Sequence, residues 1–231
     1  MYIPNAFREN DTDNLQGHMD QTRLAILVTQ GDDGLQATHL PLLLRRDEGP
    51  YGTLYGHMAK ANPQWQQLHA DVEALVIFPG EDAYVSPSFY PSKAEHGRVV
   101  PTWNYLAVHA YGQAECFTDP DRLHQLLDDL TDRHESSRAQ PWSINDAPAD
   151  YLAKMFSAIV GFSIPVQRLQ GKRKLSQNRG FSIPVQRLQG KRKLSQNRSA
   201  EDMAGVRDAL GASHNANDQQ IARLMSGWRP S

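Results

Sequence analysis

The sequence predicts a mainly β protein of the α+β class, an antiparallel barrel or sandwich with peripheral helices. Between residues 23 and 117, about six β-rich segments follow one another, and most are joined by short turns. Helical periodicity is strongest after residue 119. The 231 residues can form a substantial core, and no linker long enough to divide the chain is visible, so we expect a single domain over 1–231.

The first three strands are predicted at 23–29, 35–46 and 51–59. The first two form a hairpin around the turn sequence GDDG at 31–34. Pro41 lies inside the second strand, which predicts an edge position or a bulge because proline cannot donate a ladder hydrogen bond.

A short helix is predicted at 63–71, because Asn62 is a good N-cap and Pro63 suits the first helical position. A buried strand at 72–78 follows, and a turn is expected at 79–83. The alternating residues of 98–117 predict one long strand with a bend near Gly112.

Helices are predicted from Asp119 onward, over 142–160, and from Ser199 onward. The first two carry apolar stripes. The tail over 211–231 is either frayed or a small docking helix. The stripes are Leu123, Leu126, Leu127 and Leu130 in the first helix, and Tyr151, Met155 and Ile159 in the second.

A 19-residue segment, GFSIPVQRLQGKRKLSQNR, occurs at 161–179 and again, identically, at 180–198. Solenoid repeats diverge and need at least three units, so this pair indicates a recent duplication or an error in the sequence record, with one copy structural and one inserted. Each copy carries five basic residues and no acidic ones, so removing one changes the net charge from −2 to −7. The first copy reads as a returning strand.

Composition points to a soluble cytoplasmic protein. No apolar run approaches the roughly 18 residues of a membrane span, and the N-terminus lacks a signal-peptide pattern. The lone Cys116 cannot form an internal disulfide. Its acidic neighbours Glu115 and Asp119 would not lower the thiol pKa, which favours an inert structural thiol.

The stretch from Tyr84 to Gly112 combines four tyrosines and a tryptophan with serine, lysine, threonine and asparagine side chains. Aromatic faces and polar donors together suit a flat, phosphorylated ligand. The alternative is a sheet with a tyrosine-rich surface. Trp103 would wall the ligand, with Thr102 and Asn104 at its edge, although a core tryptophan is the more common reading of that segment.

An anion site is predicted where the third strand meets the helix start, at His57, Lys60 and Asn62. The alternative is a capped helix beside a solvated lysine. Three further residues could supply donors to the same phosphate, or could simply belong to a proline-rich turn. They are Ser86, Ser88 and Lys93.

Several chemistries find no support in the sequence. No histidine pair has metal-ligand spacing, so no metal site is expected. The GxSxG, Walker and GxGxxG patterns are also missing, which argues against a hydrolase, a P-loop protein and a dinucleotide fold. In the repeat, Lys172, Arg173 and Lys174 suggest a solvated strand end or phosphate ligands more than a DNA reader.

Six segments occur in one order: MYIPNAF, THLPLLL, GHMAKANPQW, LVIFPGEDAYVSPSFYPSK, VVPTWNYLAVHAYG and GKRKLSQNRSAEDMAGV. From Met1 to about Leu210 the chain thereby resembles the PaiB-type FMN-binding negative transcriptional regulators of bacteria. It departs from them at the repeat, because the family pattern has a single GKxKLSQN unit.

The resemblance implies an antiparallel split β-barrel, similar to the pyridoxamine-phosphate oxidase and flavin reductase group, and a homodimer with FMN at the subunit interface. One subunit would supply the phosphate side and the other part of the ring side. Trp103 and Tyr105 would wall the flavin ring, with Thr38 and His39 near its polar edge. The phosphate cradle would comprise Lys60, Asn62, Ser86, Ser88 and Lys93.

The resemblance also implies a regulatory role, the repression of sporulation and degradative-enzyme genes, with DNA or a small-molecule effector as a partner. One alternative is a flavin-dependent oxidoreductase or oxidase acting on a small molecule, with His39, His57 or Tyr105 as proton donor. The other is direct DNA binding through the basic repeat.

Overall fold

The computed structural model describes residues 1–69, 71–175 and 200–226. The chain divides into two compact units, Met1–Arg179 and Gly180–Ser231. Ten strands lie in the described part of the first unit: β1 Arg8–Glu9, β2 Ala25–Gly31, β3 Gly34–Leu40, β4 Leu43–Arg45, β5 Thr53–Ala59, β6 Glu73–Val85, β7 Thr102–Gln113, β8 Glu115–Phe117, β9 Ile159–Pro165 and β10 Arg168–Lys174.

Helices in the first unit are α1 Thr12–Gln21, α2 Ser92–His96, α3 Pro120–Glu135 and α4 Ala149–Ser157, and those in the second are α5 Ala200–Gly211 and α6 Ala216–Ser226. Short 3-10 turns occur at Asn5–Phe7, Pro63–Gln67, Pro87–Phe89 and Ile144–Asp146. Two helix starts were predictable from their caps, since Asn62 and Asp119 each accept a backbone N–H of the following turn.

Two antiparallel sheets form the first unit. One has six strands in the order β1-β10-β7-β6-β2-β3, and the other has four in the order β4-β5-β9-β8. The core lies between them: Leu27, Phe78 and Val108 of the larger sheet and Leu54 and Phe162 of the smaller one are at most 2% exposed. Burying these side chains is the main source of stability. The predicted α+β class with antiparallel sheets is confirmed.

Pro41 changes the course of the chain more than predicted. The hairpin of β2 and β3 is confirmed, with Ala25 opposite Leu40. The second strand, however, ends at Leu40, and the chain enters the other sheet as β4 from Leu43 to Arg45. Proline has no N–H to continue the ladder, so it marks a switch between sheets.

The turn expected at 79–83 is wrong. Strand β6 continues through it to Val85, because a bulge between Pro79 and Asp82 absorbs the proline and glycine without ending the pairing with β7. Gly80 is required there, since a Cβ would lie 2.8 Å from the Leu106 carbonyl oxygen. The predicted bend near Gly112 is the point where β7 ends at Gln113 and β8 begins in the other sheet.

Three helical predictions need correction. The segment 63–71 is a 3-10 turn that ends at Gln67. Of the segment 142–160, only Ala149–Ser157 is α-helical, and Ile159 belongs to β9. Tyr151 and Met155, predicted to be buried in one stripe, are 48% and 43% exposed. By contrast, Leu123, Leu126 and Leu130 are buried as expected, and Leu127 is half-buried.

The first copy of the repeat forms two strands where one was predicted. Strand β9 pairs with β5 and β8, whereas β10 pairs with β7 and β1, so the chain crosses from one sheet to the other at Val166 and Gln167. The copy at 180–198, and the prediction that one copy is an insertion, lie outside the described residues.

In the second unit α5 and α6 pack against each other, and Gly211 lies near Ala222. The tail predicted as frayed or helical is thus a helix from Ala216 to Ser226. None of the described helices is long and apolar enough to cross a membrane. Among the same residues, histidine, cysteine and carboxylate side chains nowhere gather in threes in a way that could hold a metal ion.

Candidate functional site

Asn62 links the end of β5 to the β2–β3 hairpin. Its Oδ1 accepts the backbone N–H of Gln64 at 3.2 Å, and its Nδ2 donates to Thr38 Oγ1 at 3.1 Å. Thr38 lies opposite Leu27 and is half-buried, whereas the next residue, His39, lies on the other face of β3 and is exposed.

Gln64, which sequence analysis missed, is the centre of this region. It is 1% exposed, and its Nε2 donates to Leu27 O, Thr29 Oγ1 and Gln36 O at 3.1–3.3 Å. Thr29 also donates to Gln67 Oε1 at 2.6 Å. We call Thr29, Thr38, Asn62, Gln64 and Gln67 the amide cluster. Three glutamines within the four residues 64–67, just after the helix-start signal of Asn62 and Pro63, were the available hint.

His57 and Lys60 lie on and just after β5. His57 is half-buried opposite Gly161 of β9. Lys60 is exposed, its Nζ donates to Ser157 O at 2.7 Å, and its backbone N–H donates to Ala158 O at 2.9 Å. In one copy of the chain Lys60 is therefore oriented toward the end of α4, whereas Asn62 contacts β3.

Residues 82–105 form a β-hairpin extension, which we call the hairpin arm: the end of β6, the loop after it and the start of β7. Ser86, Ser88 and Lys93 come together there. Ser86 Oγ accepts the Ser88 N–H at 3.2 Å, and Lys93 Nζ donates to Ser88 Oγ at 3.1 Å. All three remain accessible, so an ammonium and two hydroxyls are available to an anion.

The base of the arm carries the aromatic residues. Trp103 is 52% exposed and stands edge-to-face on Tyr84, with ring centroids 5.7 Å apart. The tryptophan is therefore not in the core, which was the more common alternative. Beneath it Thr102 is buried, and the Oδ1 of Asn104 is buried without a hydrogen-bond partner in the described part of the chain.

Lys174 fixes this base, and the expectation that it is a solvated strand end is wrong. It is 8% exposed, and its Nζ donates to Thr102 Oγ1 at 2.5 Å and to Trp103 O at 2.6 Å. Lys172 is closer to expectation, with its ammonium 5.1 Å from the Tyr105 ring centroid. Register decides the difference: Lys174 lies opposite Tyr105 at the end of β10, within reach of the arm.

Cys116 is the inert thiol that the sequence predicts. Burial, followed by the charge of Glu115, raises the pKa of its thiol. Its Sγ lies 3.5 Å from Leu68 O and 3.6 Å from Trp65 O. A protonated thiol in such a position contributes packing and no nucleophile.

The predicted residues on the six-stranded sheet therefore form two groups at different ends of it, whereas His57 and Lys60 lie on and just after β5 of the other sheet. Thr38 pairs with Leu27 of β2, and Leu27 in turn pairs with Val76 of β6. Trp103 pairs with Tyr84, near the other end of β6. With a strand rise of about 3.3 Å and a strand spacing of about 4.8 Å, the two groups are roughly 25 Å apart along the sheet. One extended FMN is shorter than this distance.

The chemistry of the two groups fits the parts of FMN. Trp103 and Tyr84 offer apolar faces for a ring system. The buried Asn104 oxygen lies on the other face of β7, with Thr102. Lys93, the serine hydroxyls and the Asn62 amide are donors suited to a phosphate or to ribityl hydroxyls.

Comparison with known proteins identifies the family. Residues 1–168 match the family described as "Putative FMN-binding domain". The chain is 33% identical over 225 residues to the protease synthase and sporulation protein PAI 2 of Bacillus subtilis (strain 168), which covers 97% of this chain and 96% of that relative.

Two solved structures share the fold. The FAD and heme binding protein from Mycobacterium smegmatis superposes with a TM-score of 0.55 at 16% identity, over 93% of this chain and 96% of that one. The flavocytochrome Anf3 from Azotobacter vinelandii gives a TM-score of 0.56 at 15% identity, over 88% and 94%. The chain thus belongs to the FMN-binding domain family, has the predicted antiparallel split β-barrel, and has FMN as its cofactor.

Proposed function

We propose that this protein is an FMN-binding homodimer with a regulatory role, the repression of genes. The homodimer is supported by the outer face of the six-stranded sheet, which is the side away from the core. Paired residues of antiparallel strands share a face, so Ile26, Ile77 and His109 form one row across it, and Val28 and Leu75 belong to the next.

This outer face is too apolar for a solvated surface. Ile26, Val28, Leu75 and Ile77 are each only half-buried in the single chain, although each follows or precedes a fully buried residue. A sheet facing water normally carries polar residues at such positions. A second copy, related by a two-fold axis, would bury these side chains through the same face on both subunits.

The dimer would also unite the two groups of predicted ligands. Trp103 and Tyr105 have the same parity on β7 as His109, so they share the outer face with His39 of β3. Packing two copies face to face would let the hairpin arm of one subunit approach the β3 edge and amide cluster of the other. FMN would then lie between Asn62 of one subunit and the arm of its partner.

Bound flavin supplies redox chemistry, and the chain's own residues bind and orient it. Lys93, Ser86 and Ser88 would bind the phosphate in place of Lys60, whose ammonium donates to Ser157 O at the end of α4, and Trp103 would cover the ring. Asn104 alternates with Trp103 and Tyr105 along β7, so it lies on the core face with Thr102 and is not assigned a contact with the ring. The assigned roles use groups that are accessible in one subunit.

The regulatory role is supported by the similarity, along nearly the whole of both chains, to a protein whose name concerns protease synthesis and sporulation. Direct DNA binding through the first repeat copy has less support, because three of its five basic side chains have other contacts. Arg168 pairs with Glu73 at 2.8 Å, Lys172 covers Tyr105, and Lys174 is buried. We therefore propose that repression acts through flavin chemistry or a small-molecule effector.

A flavin-dependent oxidoreductase acting on a small molecule is the second candidate. The exposed imidazole of His39 favours it, because it lies on the outer face opposite Ile26, where the proposed interface would place the flavin. An imidazole can transfer a proton near neutral pH. Oxidation of reduced nicotinamide by the FMN-loaded protein, lost in His39→Asn, would support this candidate.

The test combines the absorbance spectrum and the molar mass of the purified protein. We expect a flavin-coloured dimer in the wild type. Ile77→Lys, which places a charge in the centre of the outer face, should give a folded monomer that binds FMN at least about tenfold more weakly. Gln140→Lys makes the same charge change at an exposed loop position and should remain dimeric.

Two results would overturn the proposal. One is an Ile77→Lys monomer with wild-type FMN affinity, which would place FMN within a single subunit. The other is a Ser88→Ala/Lys93→Ala double variant that stays dimeric and binds FMN with unchanged affinity. This result would show that the arm does not bind the phosphate. A gel shift that shows sequence preference at moderate salt would move the regulatory role to direct DNA reading.

A further inference from the structure

A recess of about 650 Å³ lies between α3 and α4. We call it the α3–α4 cleft. Its walls include Leu123 and His124 of α3 and Leu152 and Phe156 of α4, and Lys60 and Thr118 lie along its border. The volume falls in the range of small-molecule sites. Apart from Lys60, no lining residue belongs to the predicted FMN set.

The apolar wall of the cleft is incompletely packed. None of the nine residues of α4 is fully buried, although Leu152 and Phe156 face the cleft and are only half-buried. Phe156 is held by an edge-to-face contact with His124, with ring centroids 6.0 Å apart. An apolar helix without a buried residue gains stability when a ligand covers its inner side, because apolar area leaves water.

The polar groups of the cleft favour an anion. Among the described residues, the polar ones that line the cleft are Lys60, Thr118, His124, Asn145 and Ser157, and neither aspartate nor glutamate is among them. Lys60 Nζ donates one proton to Ser157 O at 2.7 Å, and an ammonium has three protons to donate. A single lysine beside neutral donors suits one negative charge better than a phosphate dianion.

We infer that the α3–α4 cleft binds a small amphipathic monocarboxylate, with its carboxylate at Lys60 and Thr118 and its apolar body against Leu152 and Phe156. This ligand site is separate from the flavin site and does not rest on the proposed function. It gives the protein a place where a metabolite with an alkyl or aryl body could bind while FMN is present.

Calorimetric titration of the FMN-loaded protein tests the inference with three ten-carbon probes below their micelle concentrations: decanoate, decanol and decyltrimethylammonium. We expect saturable binding of one decanoate per chain. The neutral and cationic probes should bind at least about tenfold more weakly, since a charge-assisted hydrogen bond contributes about 1.5–3 kcal/mol. Equal binding of all three probes would overturn the anion assignment.

Variants of α4 locate the site. Ala153→Trp fills the cleft, since Ala153 lines it, and should abolish decanoate binding. Met155→Trp lies on the same helix outside the lining, is 43% exposed, and should leave decanoate binding within about twofold. The flavin absorbance and melting temperature of both variants show whether they are folded. Unchanged decanoate binding in a folded Ala153→Trp protein would overturn the proposal.

The carboxylate position is tested by Lys60→Gln. Decanoate affinity should fall about tenfold, while decanol affinity stays unchanged. The titration is done on the apoprotein as well, so that an effect of this substitution on FMN does not enter the comparison. An unchanged preference for decanoate over decanol would remove Lys60 from the site.

Discussion

The amide cluster and the hairpin arm are the two regions proposed to meet around FMN, and they differ in how far their side chains are already buried. Gln64 is 1% exposed, and its Nε2 makes three hydrogen bonds to the β2–β3 hairpin, although its Oε1 has no partner in the described residues. In the arm, Trp103 is 52% exposed and Tyr84 is 50% exposed.

The difference indicates that the amide cluster contributes mainly to stability and the hairpin arm mainly to ligand binding. A buried and hydrogen-bonded network holds a geometry before any ligand arrives, whereas exposed aromatic faces gain their contacts on binding. Substitutions in the amide cluster should therefore change stability first, and substitutions in the arm should change ligand binding first.

The largest expected effect is at Gln64. Gln64→Leu keeps the volume of the side chain but leaves Thr29 and two backbone carbonyls without their donor, so unfolding free energy should fall by about 2–4 kcal/mol. Urea unfolding followed by circular dichroism measures it. Gln66→Leu, at an exposed neighbouring position, should change stability by less than about 0.5 kcal/mol. If Gln64→Leu and Gln66→Leu lowered the unfolding free energy equally, the hydrogen bonds of Gln64 would not be what stabilises the amide cluster.

The second prediction concerns the hairpin arm, where a substitution should weaken FMN binding and change apoprotein stability little. Trp103→Ala should weaken FMN binding by about 10- to 100-fold, because stacking of a flat ring on an aromatic side chain contributes about 1–3 kcal/mol. Unfolding free energy without ligand should fall by less than about 1.5 kcal/mol, the scale of its edge contact with Tyr84. Fluorescence titration with FMN and urea unfolding of the apoprotein separate the two. A large loss of apoprotein stability would make the arm structural.

The smallest effect concerns the sheet surface between the regions, where His109 lies. Burial, and then the N-terminal ammonium, lowers the pKa of His109 below the ordinary 6.5. As the pH falls below 6.5, His109 takes up a proton more readily in the unfolded chain than in the folded chain. The folding stability that this difference contributes is therefore present above pH 6.5 and is lost as the pH falls. His109→Gln should flatten the dependence of unfolding free energy on pH between neutral and mildly acidic conditions.

His134 provides the comparison for that measurement. Burial lowers its pKa first and the charge of Arg133 next, so His134→Gln should flatten the same curve in part, and the double variant should flatten it most. A wild-type curve that is level between pH 7 and pH 5, or rises as pH falls, would contradict the assignment.

The sequence alone predicted those features that depend on neighbouring residues. The β2–β3 hairpin, the Asn62 and Asp119 caps and the α3 stripe all follow from local spacing. The family resemblance added FMN and the split barrel, because long motifs in a fixed order carry information that propensities do not.

Only the tertiary structure decided the rest. Lys172 and Lys174 have the same local sequence character, yet the register of β10 against β7 places one over a ring and buries the other under the arm. Likewise, the continuation of β6 through Pro79 and the exposure of Trp103 depend on which strand lies alongside. Burial and hydrogen-bond partners arise from contacts between distant segments, so spacing along the chain cannot specify them.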